Sequence, residues 1–128
     1  MKFLLGKKLG MTQVFDVAGN AIPVTVIQTG PLTVIQAKTK GKDGYPALQL
    51  GFGSRKGKRI AKPQRRAWQG WGNFEVLREA RGMSGKGRGE TIDVTQFQEG
   101  DMVKVAGISK GKGFQGVVKR HGFHGAPA

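Results

Sequence analysis

No apolar run in this chain goes far before glycine or proline interrupts it, and that punctuation constrains the fold more than any other feature. Glycine supplies 22 of the 128 residues, which leaves little room for long helices and places many residues in turns and arms. Between the glycines stand short segments rich in β-branched residues. Ala21 to Thr29 carries Ile22, Val24, Val26 and Ile27 at nearly period two, Gly30-Pro31 stops it, and Leu32 to Thr39 resumes the pattern. These two segments are predicted as hairpin partners. Phe3 to Phe15 reads as a strand, a bend near Gly6 to Gly10 and a second strand, followed by turn chemistry at Asp16 to Asn20. Further strands are predicted at Ala47–Phe52, Phe74–Arg81, Thr91–Phe97 and Met102–Ala106, with a polar loop at Lys40–Tyr45. Many short strands separated by turns predict a mainly β fold and a small antiparallel barrel.

The length suits one domain with a single core. Lysine and arginine exceed aspartate and glutamate by 22 to 8, giving a formal charge of +14. A body so charged repels itself unless polyanions accompany it, and nucleic acid is the expected partner. There is no cysteine, which excludes a disulfide framework, thiolate metal ligands and a cysteine nucleophile. The start, Met1 to Lys8, has an apolar run of only Phe3 to Leu5 before two lysines, too short for a targeting segment, and no run approaches a membrane span. No membrane partner is expected, and an intracellular setting fits.

The charge is concentrated. Arg55, Lys56, Lys58, Arg59, Lys62, Arg65 and Arg66 fall within twelve residues, and no acid occurs between Gly44 and Phe74. This basic insertion, at about residues 54–90, cannot neutralise itself and requires water or phosphate. Pro63 can open a short helix through Trp68, ended by Gly70 and Gly72. Trp68 and Trp71 suit anchoring in a core at least as well as base stacking. Lys86 and Arg88 lie in a second glycine-rich turn, Gly82–Gly89.

Gly107 to Arg120 combines four glycines, four cations and one aromatic residue with no acid, and nothing acidic follows Asp101. Gly111 to Gly116 spells GxGxxG, yet the dinucleotide fingerprint needs a following helix, a second parallel strand and an acid about twenty positions on, and only twelve residues follow. No Walker A motif occurs. His121 and His124 lack a third ligand nearby, so metal is not expected. Ser54, Ser84 and Ser109 all lie in loops with nothing to activate them, and carboxylate pairs such as Glu75 with Glu79 read as surface groups. No cofactor and no small-molecule substrate are predicted. Cations interleaved with glycines and aromatics suit phosphates and unstacked bases.

These residues closely resemble the bacterial-type large-subunit ribosomal protein L-three family. The resemblance is carried by Leu5-Gly6-Lys7-Lys8-Leu9-Gly10-Met11-Thr12, Ile22-Pro23-Val24-Thr25-Val26, Asp43-Gly44-Tyr45, Lys62-Pro63 and, most specifically, Ser109-Lys110-Gly111-Lys112-Gly113-Phe114-Gln115-Gly116 with Lys119-Arg120 and His121-Gly122-Phe123. It implies a six-stranded Greek-key barrel of the translation-protein (reductase/isomerase/elongation factor) type, residues 1–106 with the basic insertion, and an RNA-penetrating extension beginning at 107–128. It implies binding to 23S ribosomal RNA near its 3′ end, an early role in subunit assembly, reach toward the peptidyl transferase centre, neighbouring large-subunit proteins as partners, and a cytoplasmic scaffold that is not an enzyme. Family members continue past Ala128 through a loop tip and returning strands, so the barrel is expected to be incomplete here. Where the family usually has Gly-His-Phe, this chain has Arg66-Ala67-Trp68-Gln69-Gly70-Trp71-Gly72. The residues expected to touch RNA are Lys7, Lys8, the seven insertion cations, Lys86, Arg88, Ser109 to Gly116, Lys119, Arg120, His121 and His124. A general RNA-binding or chaperone module, and a nucleotide- or flavin-binding barrel enzyme, are the competing classes.

Overall fold

The computed structural model describes residues 2–125. Strands β1 (Gly6–Phe15) and β2 (Ala21–Thr29) pair antiparallel, with Phe15 opposite Ala21 and Gly6 opposite Thr29. The bend expected near Gly6 to Gly10 is a β-bulge within one continuous strand: Lys8 faces Ile27, Gly10 faces Val26, and Leu9 is the extra residue. The intervening turn is organised by Asp16, whose carboxylate accepts hydrogen bonds from the backbone N–H of Ala18 at 2.9 Å and of Asn20 at 2.8 Å. The Asn20 side chain donates to the same carboxylate, and this bond leads those that hold the Asp16 pKa below its usual value.

Strand β3 (Leu32–Lys38) does not pair with β2, contrary to the hairpin expected across Gly30-Pro31. It lies in a four-stranded antiparallel sheet ordered β5-β4-β3-β6, with β4 (Ala47–Phe52), β5 (Val76–Arg81) and β6 (Thr91–Ile92). Period-two alternation fixes which face a residue occupies but not which strand lies alongside. Gly30-Pro31 instead carries the chain from one sheet to the other. The loop expected at Lys40–Tyr45 contains a single helical turn, α1 (Lys40–Asp43), closed by Gly44 at φ +85°.

A bulge in β3 gives the larger sheet a core on each face. Val34 faces Leu50 and Gln36 faces Gln49, so Ile35 is the extra residue. Val34 and Ile35 are adjacent yet both buried, one in each of two clusters. Leu32, Val34, Leu48, Leu50, Ala80, Met83 and Ile92 form the first, covered by Phe3, Leu4 and Leu5. Ile35, Ile60, Trp68 and Phe74 form the second, with Leu77 against them. Gly51 in mid-β4 allows the second: a Cβ there would stand 2.6 Å from the Phe74 ring, so only a bare backbone admits the aromatic.

The six strands divide two and four, and among the described residues they do not close into the expected barrel. β6 holds only two residues, and Met102–Ala106, predicted as a strand, forms none and is exposed. Alternation makes a strand only where a neighbour supplies hydrogen-bond partners, and none of the described strands lies beside this segment. The hairpin likewise exposes Met11, Phe15, Ile22 and Val26. The mainly β, antiparallel character follows the sequence; the closure does not.

Candidate nucleic-acid interface

The basic insertion is a cationic covering fastened over the second core. A 3₁₀ turn at Gly57–Arg59 leads through buried Ile60 to α2 (Lys62–Ala67), which has Pro63 in its first turn where a missing N–H costs nothing. Trp68 follows the helix and is 6% exposed, meeting Phe74 edge to face with centroids 6.0 Å apart. Ile60 and Trp68 therefore bracket α2 and hold it on the sheet. The cations that remain, Arg55, Lys56, Lys58, Arg59, Lys62, Arg65 and Arg66, are all exposed. None joins the ion pairs formed among the described residues, which are Lys2–Asp101, Lys38–Glu79, Arg81–Glu79 and Lys86–Glu90.

The second turn meets the first through Arg88. Its guanidinium donates to the main-chain oxygen of Ala67 at 2.9 Å and lies 5.6 Å from the ring centre of Trp71. Gly89, at φ +91°, lies so close to the Trp71 ring that any Cβ would overlap it. The same glycine donates to Val34 O at 2.7 Å, and Val34 donates to Glu90 O at 2.9 Å, so the turn continues the β3–β6 pairing. Glu90 closes it by accepting from the Gly87 N–H at 2.7 Å, the bond chiefly responsible for its lowered pKa. Lys86, an expected RNA contact, stands 3.4 Å from Glu90.

A third basic surface is the arm after Asp101. Lys2 Nζ meets Asp101 Oδ2 at 2.6 Å and Gln96 Nε2 donates to Phe3 O at 2.8 Å, tying the N-terminal segment to the point of departure. The lysine hydrogen bond is the main cause of the lowered Asp101 pKa. Beyond it Ser109, Lys110, Gly111, Lys112 and Gly113 are exposed, Phe114 is 100% exposed, and the Gln115 amide donates to Lys112 O. Gly116 precedes a short helix, α3 (Val117–His121), whose last turn carries Lys119, Arg120 and His121. His121 stacks on Phe123 at 5.4 Å, and His124 is exposed. Lys7 and Lys8 are exposed on β1.

Lys38 is the charged group whose role the sequence hid. It ends β3, meets Glu79 Oε2 at 2.7 Å and donates to the Tyr45 hydroxyl at 3.2 Å. Hydrogen bonding to Glu79 holds its pKa above the usual lysine value, and the same bond holds the Glu79 carboxyl below its own.

The arrangement is that of a basic, mainly β protein whose unneutralised cations stand on a covered sheet and on a glycine-rich arm. Residues 86–128 match the family model described as Ribosomal protein L3. The chain is 47% identical to the large ribosomal subunit protein uL3 of Herpetosiphon aurantiacus, over 98% of this chain and 60% of the relative. It is 51% identical to that of Syntrophotalea carbinolica, over 99% and 63%, and 47% identical to that of Carboxydothermus hydrogenoformans, over 98% and 62%. Over nearly its whole length the chain is thus similar to ribosomal protein L3. It spans about 60% of the length of the curated relatives it matches.

Proposed function

We propose that this chain is a structural, non-catalytic component of the large ribosomal subunit, acting in the cytoplasm by binding 23S ribosomal RNA near its 3′ end. The observation that carries the reading is the similarity to uL3 relatives over nearly the whole chain, joined at residues 86–128, which include the arm at Ser109–Gly116, by the family-model match. On this reading residues 1–106 are the body and residues 107–128 begin an extension directed toward the peptidyl transferase centre. On the same reading the strands of the body belong to a six-stranded barrel of the translation-protein type. Early binding then nucleates subunit assembly beside neighbouring large-subunit proteins.

The residues divide the work by chemistry. Arg55, Lys56, Lys58, Arg59, Lys62, Arg65 and Arg66 hold phosphates on the covered sheet face, and Lys7 and Lys8 extend that field from the hairpin. Lys110, Lys112, Lys119 and Arg120 neutralise phosphates along the arm. Gly111, Gly113 and Gly116 let its backbone approach, while Phe114, His121 and His124 offer faces to unstacked bases. Ser109 and Gln115 supply hydrogen bonds at the junction, and Lys86 and Arg88 border the insertion.

Replacing Lys110 and Lys112 by glutamate tests the assignment. Affinity for the large-subunit RNA is expected to fall, and the slope of log K against log salt to become shallower by about 0.7–0.9 for each phosphate that is no longer neutralised. Unchanged affinity at low salt contradicts the role given to the arm.

A further inference from the structure

The segment in which this chain departs from the family's Gly-His-Phe pattern borders a recess that the phosphate contacts do not explain. The end of α2 and the residues after it enclose an open cavity of about 500 Å³. Arg65 and Arg66 stand on one side, Gln69 and Asn73 line it, and Trp68 contributes to its wall while its ring packs against Phe74. Gly70 at φ +88° and Gly72 at φ +126° turn the chain around it, in backbone conformations that other residues rarely adopt.

The chemistry of the lining is selective. Neither arginine has a carboxylate partner among the described residues, and no acid occurs between Gly44 and Phe74. Among the described residues the glutamine amides that donate hydrogen bonds are those of Gln96 and Gln115, and the asparagine amide that does so is that of Asn20. The amide groups of Gln69 and Asn73 are left without protein acceptors. Two guanidiniums and two amides fit a ligand that is anionic at one end and polar-edged at the other. A cavity of a few hundred cubic ångströms takes a ligand of that size, and amides read adenine through its paired donor and acceptor edge.

We propose that this recess receives one unpaired adenine nucleotide of the bound RNA, with Arg65 and Arg66 on its phosphate and the amides of Gln69 and Asn73 on its base edge. This rests on the RNA-binding function proposed above and adds a base-reading site to it. A long surface of cations grips any RNA backbone; a single seated base fixes register along it.

The test uses the full chain with Phe114→Ala, His121→Ala and His124→Ala, so that stacking on the arm supplies no preference, and compares its affinity for a single-stranded penta-adenylate and for an abasic phosphodiester of equal length and charge, at equal salt. A seated base predicts about tenfold preference for the adenylate. The doubly substituted variant Gln69→Ala/Asn73→Ala keeps the charge and the exposed positions, so it is expected to lose the preference while still binding both. A folding check is its unfolding midpoint, expected to remain close to that of the parent. Equal affinity of the parent chain for the two oligomers, or a preference that survives in the folded variant, overturns the site. Large-subunit RNA binding is measured in parallel: its loss marks failure of the parent reading, whereas its persistence without base preference marks failure of the recess alone.

Discussion

Arg88 donates through Nη2 to the main-chain oxygen of Ala67 at 2.9 Å, although the two residues are 21 positions apart. Ala67 is the last residue of α2, where helix carbonyls lack partners and the helix dipole is negative. A cationic donor there satisfies one of them and holds the short helix to the turn beside β6. The planar guanidinium also rests over Trp71 at 5.6 Å, which a lysine ammonium cannot match in shape.

Arg88 is thus an organiser of the insertion more than a free phosphate ligand. Substituting it by alanine or by lysine is expected to speed hydrogen exchange at the backbone amides of Arg65 and Trp68, which donate to Ala61 O and Gln64 O. The alanine variant should lose about 1 kcal/mol of stability. If lysine restores parental exchange, charge alone is the contribution of Arg88.

Gly89 answers to two separate demands. Its φ of +91° disfavours any side chain, and a Cβ would overlap the Trp71 ring. Gly89→Ala is expected to cost about 2–4 kcal/mol, from the left-handed backbone and the displaced ring together. Denaturant unfolding followed by tryptophan fluorescence checks it. A change below about 0.5 kcal/mol, the range of ordinary surface substitutions, would show that the turn relaxes freely.

The Lys38–Glu79 pair sets a pH window. Glu79 has a lowered pKa, so its contribution is present above the usual carboxylate value of 4.5 and is lost as pH falls through the lowered folded value. Lys38 has a raised pKa, so its contribution is present below 10.5 and disappears as pH rises through the raised folded value. Stability measured across pH should therefore fall at both limits. Glu79→Gln should weaken the alkaline limb that depends on this pair, while Asp16, Glu90 and Asp101, all with lowered pKa values, retain part of the acid limb. A Glu79→Gln profile parallel to the parent's at both ends would mean the pair contributes nothing.

The charge and the short alternating segments made the β character and the basic surfaces legible, because both depend on local composition. Partnering was not legible: β2 carries the same alternation whether it pairs with β1 or β3. The bulge at Ile35 was hidden for a related reason, since Val34-Ile35 reads as ordinary strand until two separate cores claim the adjacent side chains. Trp68 and Trp71 are alike in sequence, but the first is buried against Phe74 and the second is 38% exposed beside Arg88. Tertiary neighbours decide such roles. The same holds for Lys38, which in sequence is one cation near the end of an alternating segment and in the structure stands paired with Glu79.

Affinity for folded large-subunit ribosomal RNA, compared at equal salt with affinity for a scrambled RNA of the same length, tests the central claim most directly. Clear preference for the ribosomal RNA is expected, with a steep salt dependence for both, because phosphate contacts supply affinity and the folded target supplies selectivity. Equal affinity for the two RNAs at every salt concentration would contradict it and leave a general polyanion binder in its place.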